Sequence, residues 1–245
     1  MSFDDKNHKT GIKIALASLF ITIFLLAAVL LLGSTLNGTR ESDLNKRFER
    51  MSQDFNSMQT FSLLSETYDD KMACLAFESK LQELNSYIWK LGQDIDNYRT
   101  ASEEFQKNQY YVQQKKIFNE NEVYYYLLLR KMEKKCNITK MNILFFYKNA
   151  VDCKKCDDQS FILSDISKMD DDYKKEIAVF SYDLDLNIST ITLLAKYYDV
   201  HEFPCVVINE TPYCGIQDKS FIMKKVCETE NISICTIYFK ENSKI

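Results

Sequence analysis

At 245 residues the chain has room for one or two domains, and with Gly 5 and Pro 2 it is too poor in turn residues for a sandwich or barrel. The formal net charge of −4 comes from mixed charges of both signs, which leaves no basic face and argues against nucleic-acid binding. Its Cys 8 is an even and high count, which reads as disulfides outside the cytosol and as metal-binding or catalytic thiols inside it.

Residues 1–13 are a polar tail, expected on the cytoplasmic side. The stretch Ile14 to Leu32 is uncharged and apolar, and no charge follows until Arg40. At a helical rise it spans roughly 28 Å, which predicts one transmembrane helix over 14–32, a retained signal anchor with the lipid bilayer as its partner. A cleaved signal peptide has a shorter apolar core, about 7–15 residues, and Gly33-Ser34-Thr35 makes a poor cleavage site. Lys6, Lys9 and Lys13 precede the run while Arg40, Lys46 and Arg47 follow it, so the positive-inside count is nearly a tie. The cysteines and the sequons at Asn37, Asn137, Asn187, Asn209 and Asn231 turn the expectation toward a single-pass protein with its C-terminal domain extracytoplasmic.

After a linker over 33–43, a helical stalk is expected over 44–136. Leu44, Phe48, Met51, Phe55 and Met58, and then Phe77, Leu81, Leu84, Ile88, Leu91, Ile95 and Tyr98, alternate in steps of four and three, the seam of a coiled coil or helical hairpin. Trp89 lies in that stretch with no cofactor role. A polar break over 99–109 and a second helical run from Tyr110 to Lys135 suggest an antiparallel hairpin turning near residue 104. That geometry sets Cys74 opposite Cys136, as a disulfide or as two buried thiols. The seam could also carry a homodimer or another partner.

Beyond residue 140 the pattern changes. Asn142–Tyr147 and Ile177–Tyr182 are short apolar runs, read as buried strands. Between them stand Cys153-Lys154-Lys155-Cys156 and a segment to Met169 with Phe161, Ile162, Leu163 and Ile166 on one side. A helix over 191–198 follows, then strands at 205–208 and 211–216 and a helix over 219–227, giving the order β-α-β-α-β-β-α. A C-terminal tail over 229–245, apolar from Ile234 to Phe239, closes the chain.

That order, with CxxC at the first strand-to-helix turn and Phe203-Pro204 opening the third strand, resembles the thioredoxin-like fold over residues 140–228. The nearest likeness is to membrane-anchored thioredoxin-like proteins of prokaryotes, archaeal ones especially. The resemblance implies that Cys153 is the nucleophile at a helix start, Cys156 its resolving partner, and Pro204 a cis-proline facing the pair. Val151 and Asp152 stand where the family's usual Trp precedes the first cysteine, and the dipeptide between the cysteines is Lys-Lys. The fold expected is therefore an α/β thioredoxin-like domain preceded by one transmembrane helix and an α-helical coiled-coil or hairpin segment.

A thiolate is the attacking species in disulfide exchange. A helix N-terminus, Lys154 and Lys155 would stabilise it, while Asp152, Asp157 and Asp158 oppose them. A stabilised thiolate makes the disulfide oxidising, so the expected activity is a thiol–disulfide oxidoreductase, an oxidant or isomerase, acting on thiol or disulfide groups of exported proteins. No cofactor is expected and no cysteine or histidine cluster has zinc spacing, although two thiolates in CxxC can hold copper(I). His201 is a candidate neighbour of the site. Cys205 and Cys214 flank the turn at Asn209-Glu210 and are read either as a cross-strand disulfide or as two reduced thiols; Cys227 and Cys235 are read as a structural disulfide. The competing function is a non-enzymatic scaffold with a static CKKC disulfide.

Overall fold

The computed structural model describes residues 18–33, 109–136, 140–149, 151–171, 176–230 and 232–242, with isolated positions between 16 and 95. Two compact units divide the chain, Met1–Arg50 and Met51–Ile245.

In the first unit the described helix covers residues 18–33, and its leucines, isoleucines and phenylalanines are exposed. The transmembrane helix expected over 14–32 is not supported. Among the described residues no helix is long and apolar enough to cross a membrane. The longest helix among the described residues, Gln109–Cys136, carries Lys115, Lys116, Glu120, Glu122, Arg130 and Lys131 along its length. Most of the seam, including Leu44, Phe48, Met51, Phe55, Met58, Leu81, Leu84 and Tyr98, lies outside the described residues, as do Trp89 and the turn near 104. Phe77, Ile88, Leu91 and Ile95 are described and buried in the second unit.

The second unit is built on a mixed four-stranded sheet. Its elements in chain order are α1 (Gln109–Cys136), β1 (Met141–Tyr147), α2 (Cys156–Asp171), β2 (Ile177–Asp183), a 3-10 turn (Leu184–Leu186), α3 (Ser189–Tyr197), β3 (Cys205–Ile208), β4 (Thr211–Cys214), α4 (Lys219–Thr229) and α5 (Ser233–Asn242). The strand order is β2-β1-β3-β4. β1 pairs parallel with β2 and antiparallel with β3, and β3 pairs antiparallel with β4. Asn209 at φ 47 and Glu210 at φ 64 both lie in the left-handed region, the conformation of a two-residue type I′ turn, closed by the pair Ile208↔Thr211.

Side chains alternate across a strand, so β1, β2 and β3 each feed two cores. On one face Ile143, Phe145, Ile177, Val206 and Ile208 pack with α2 (Leu163, Ile166), α4 (Ile222, Met223, Val226) and the start of α5 (Ile234). On the other, Phe180 meets Tyr125 and Tyr126 of α1 at ring-centroid distances of 5.6 and 5.5 Å. α1 thus covers a sheet face as well as carrying Cys136. In α2 the inward stripe is Ile162, Leu163 and Ile166, while Phe161, grouped with them by the sequence pattern, is 74% exposed.

Two long-range caps complete the layer. Glu176 Oε2 accepts from Ser233 N and Ser233 Oγ, both at 2.7 Å, which satisfies the first turn of α5. Along the outer edge of β2, Glu122 Oε1 accepts from Ser181 N at 3.3 Å and Asn119 Oδ1 accepts from Asp183 N at 3.0 Å. Side chains from one helix face thus occupy alternate donors of an edge strand and blunt it against strand addition.

Candidate dithiol site

The register brings the chemistry-bearing segments to one end of the sheet. Phe146 near the end of β1 pairs with Tyr182 near the end of β2 and with Cys205 at the start of β3, and Cys205 pairs with Cys214 at the end of β4. The loop carrying Cys153, the turn carrying Asp185, the Phe203-Pro204 step and the Gly215–Gln217 segment all leave the sheet there.

Cys153 and Cys156 are joined as a disulfide with a Cα–Cα distance of 5.4 Å. The helix begins at Cys156, so Cys153 sits in the turn ahead of it, its carbonyl accepting from Cys156 N at 3.2 Å. Cys153 is 5% exposed and Cys156 2%. The two lie in the core cluster with Phe145 and Val206, and Phe203 packs against it. Above them Lys154 and Lys155 are exposed, and Val151 is 87% exposed.

Asn149 organises the turn. Its carbonyl oxygen accepts from Cys153 N at 2.9 Å and Asp152 N at 3.1 Å, and its side-chain Oδ1 accepts from Val151 N at 3.0 Å. Asn149 N and Nδ2 both donate to Asp185 Oδ2, at 2.7 and 2.6 Å. Asp185 N in turn donates to Asp183 Oδ1 at 2.9 Å, and Asp183 is ion-paired with Lys115 of α1.

A second clamp fixes the start of α2. Gln159, fully buried, accepts from Gln217 N at 2.7 Å through Oε1 and donates to Gln217 O at 3.2 Å through Nε2. Gln217 Nε2 donates to Cys214 O at 3.1 Å, and Gly215 N to Pro204 O at 2.8 Å. Gly215, at φ +81, occupies a left-handed conformation that favours glycine.

The Phe203-Pro204 bond is cis, and Pro204 is buried at the dithiol end of the sheet. Lys148 Nζ lies over the Phe203 ring, 5.3 Å from its centroid. His201 is exposed and pairs with Asp199 at 2.6 Å.

No protein-family model matches this chain, and no curated protein matches it either.

The other six cysteines form Cys74–Cys136, Cys205–Cys214 and Cys227–Cys235. Cys205–Cys214 is the cross-strand bridge of the two alternatives. Because Val206 faces the Cys153–Cys156 cluster, Cys205 points to the opposite face, so these two disulfides are separated by the sheet. Among the described residues no group of three or more His, Cys, Asp and Glu side chains could hold a metal ion.

Sequence reading singled out the dithiol and Pro204 but not Asn149, Asp185, Gln159 or Gln217. A signal existed for Asn149, because Asn beside a strand end favours turns that bond its own downstream backbone. None existed for the glutamine pair, whose partners are far apart in sequence.

Proposed function

We propose that the chain is a thiol–disulfide oxidoreductase that uses Cys153 and Cys156 on thiol groups of exported proteins. The observation that carries this reading is a disulfide between near neighbours, seated where a strand end meets a helix start. As a staple such a bridge does little. In the chain-entropy model a closure three residues apart contributes about 2 kcal/mol, against about 4 kcal/mol for the 62 that separate Cys74 from Cys136. Four disulfides and no free cysteine among the described residues support an oxidising compartment. The CKKC-and-proline likeness to thioredoxin-like proteins supports the same chemistry.

In the oxidising direction a client thiolate attacks Cys153 Sγ. The Cys153–Cys156 bond breaks, Cys156 leaves as a thiolate, and a mixed disulfide forms between client and Cys153. The client's second thiolate attacks its own sulfur in that mixed disulfide and releases Cys153. The client loses two electrons, the pair gains them, and a donor disulfide restores it. Cys153 is the attacked sulfur on the resemblance to thioredoxin-like proteins, in which the first cysteine of the pair is the reactive one.

The competing reading, a scaffold with a static disulfide, draws on the burial of both cysteines. Trapping separates the two. Full-length C156S incubated with glutathione disulfide should accumulate a stable mixed disulfide at Cys153, and C153S should not accumulate one at Cys156. No adduct at either cysteine would rule out exchange chemistry and leave the scaffold.

A further inference from the structure

The turn holding Cys153 is not an independent loop. Three of its backbone N–H groups, those of Val151, Asp152 and Cys153, end on Asn149. Asn149 is in turn held by two donors on a single carboxylate oxygen of Asp185. Asp185 stands in the 3-10 turn that Asp183 caps, and Asp183 is tied to α1 through the Lys115 ion pair and the bond from its N–H to Asn119 Oδ1.

We propose that Asp185 is a positioning residue that sets the redox poise of the Cys153–Cys156 couple, biasing it toward the disulfide. This rests on the exchange reading above. Asp185 acts in two ways, and both have the same sign. It orders the turn before the bond forms, so closing the disulfide need not order it, and the oxidised state gains relative to a floppy dithiol. It also fixes the Asn149 carbonyl on the Cys153 N–H, so that donor is unavailable to a Cys153 thiolate, and it places a carboxylate behind the turn. Fewer donors and a nearby negative charge both disfavour the thiolate of the reduced state. Removing Asp185 should therefore shift the couple toward the dithiol and make its disulfide the stronger oxidant.

The test uses the full chain as wild type, D185A and D185N, equilibrated against glutathione buffers. Two glutathione thiols supply the two electrons. One thiolate attacks Cys153, Cys156 leaves and takes a proton, and the second glutathione resolves the mixed disulfide as glutathione disulfide. Alkylation and peptide mass spectrometry read the oxidised fraction, and the pH midpoint of Cys153 alkylation reads its thiol. D185A should raise the equilibrium constant for reduction about tenfold, which is about 30 mV for a two-electron couple, and move the midpoint to lower pH. D185N keeps an oxygen acceptor for Asn149 and should shift both in the same direction by less. A D185A protein that folds, even with a lowered melting temperature, but keeps the wild-type constant and midpoint would overturn the proposal. If D185A does not fold, D185N decides, and unchanged values there overturn it. A wild-type pair that exchanges with no glutathione buffer defeats this inference and the exchange reading together, whereas normal wild-type exchange with unshifted variants defeats this inference alone.

Discussion

Gln159 and Gln217 hold each other from both sides, the Gln159 amide bonding both the N–H and the C=O of Gln217. This joins the first turn of the dithiol helix to the segment after β4. Q159L keeps the volume but leaves both backbone groups without those bonds. At ~1–3 kcal/mol for each group left unsatisfied, and with Gln217 only half-buried, the two together should cost toward the lower end of about 2–6 kcal/mol in urea unfolding. An unchanged midpoint would show that the clamp is dispensable.

Asn119 and Glu122, one turn apart on α1, occupy alternate donors of the β2 edge. Replacing both by Ala should destabilise the second unit by about 2 kcal/mol and reopen an edge for strand addition. Light scattering at raised protein concentration would show the double variant associating where the wild type does not.

The disulfides differ as staples. C74S/C136S removes the long closure and should lower stability by about 4 kcal/mol, while C153S/C156S should lower it by about 2 kcal/mol or less. Guanidinium unfolding of the two variants measures the difference. A larger loss on removing the CKKC pair would mark it as a structural bridge.

Asp170 is buried and accepts from Ile177 N at 2.8 Å and Glu176 N at 3.1 Å. Burial raises its pKa, and those two N–H donors offset the rise only in part. A carboxyl raised in the folded state contributes stability that is fully present below its unfolded pKa and is lost as pH rises through its folded pKa. D170N cannot titrate, so the gap in stability between wild type and D170N should narrow as pH rises through the range just above ordinary carboxylate values. Urea midpoints of both proteins near pH 4 and pH 7 check the sign, and a gap that widens toward pH 7 would contradict it.

Three strands of the sheet are legible because each is a short apolar run, and β1, β2 and β3 begin within a residue of where the pattern starts. α5 was not legible as a helix. Its N-terminal donors end on Glu176, far upstream, and local sequence carries no trace of such a cap. α1 read as part of a stalk because its apolar positions look alike whether they meet another helix or a sheet, and the Phe180 contacts of Tyr125 and Tyr126 are non-local. The apolar run near the N-terminus suggests a membrane span from length and hydropathy alone, whereas among the described residues no helix is long and apolar enough to cross a membrane. At the site, CKKC and Pro204 announce themselves by residue type. Asp185 does not, because its role depends on the parallel pairing that carries the end of β2 beside the end of β1.

The most direct test of exchange chemistry is the reduction potential of the Cys153–Cys156 pair in the wild-type full chain. A value within the ~−120 to −270 mV range of exchange proteins is the predicted result. A pair that stays oxidised below about −300 mV, as structural disulfides do, would contradict it.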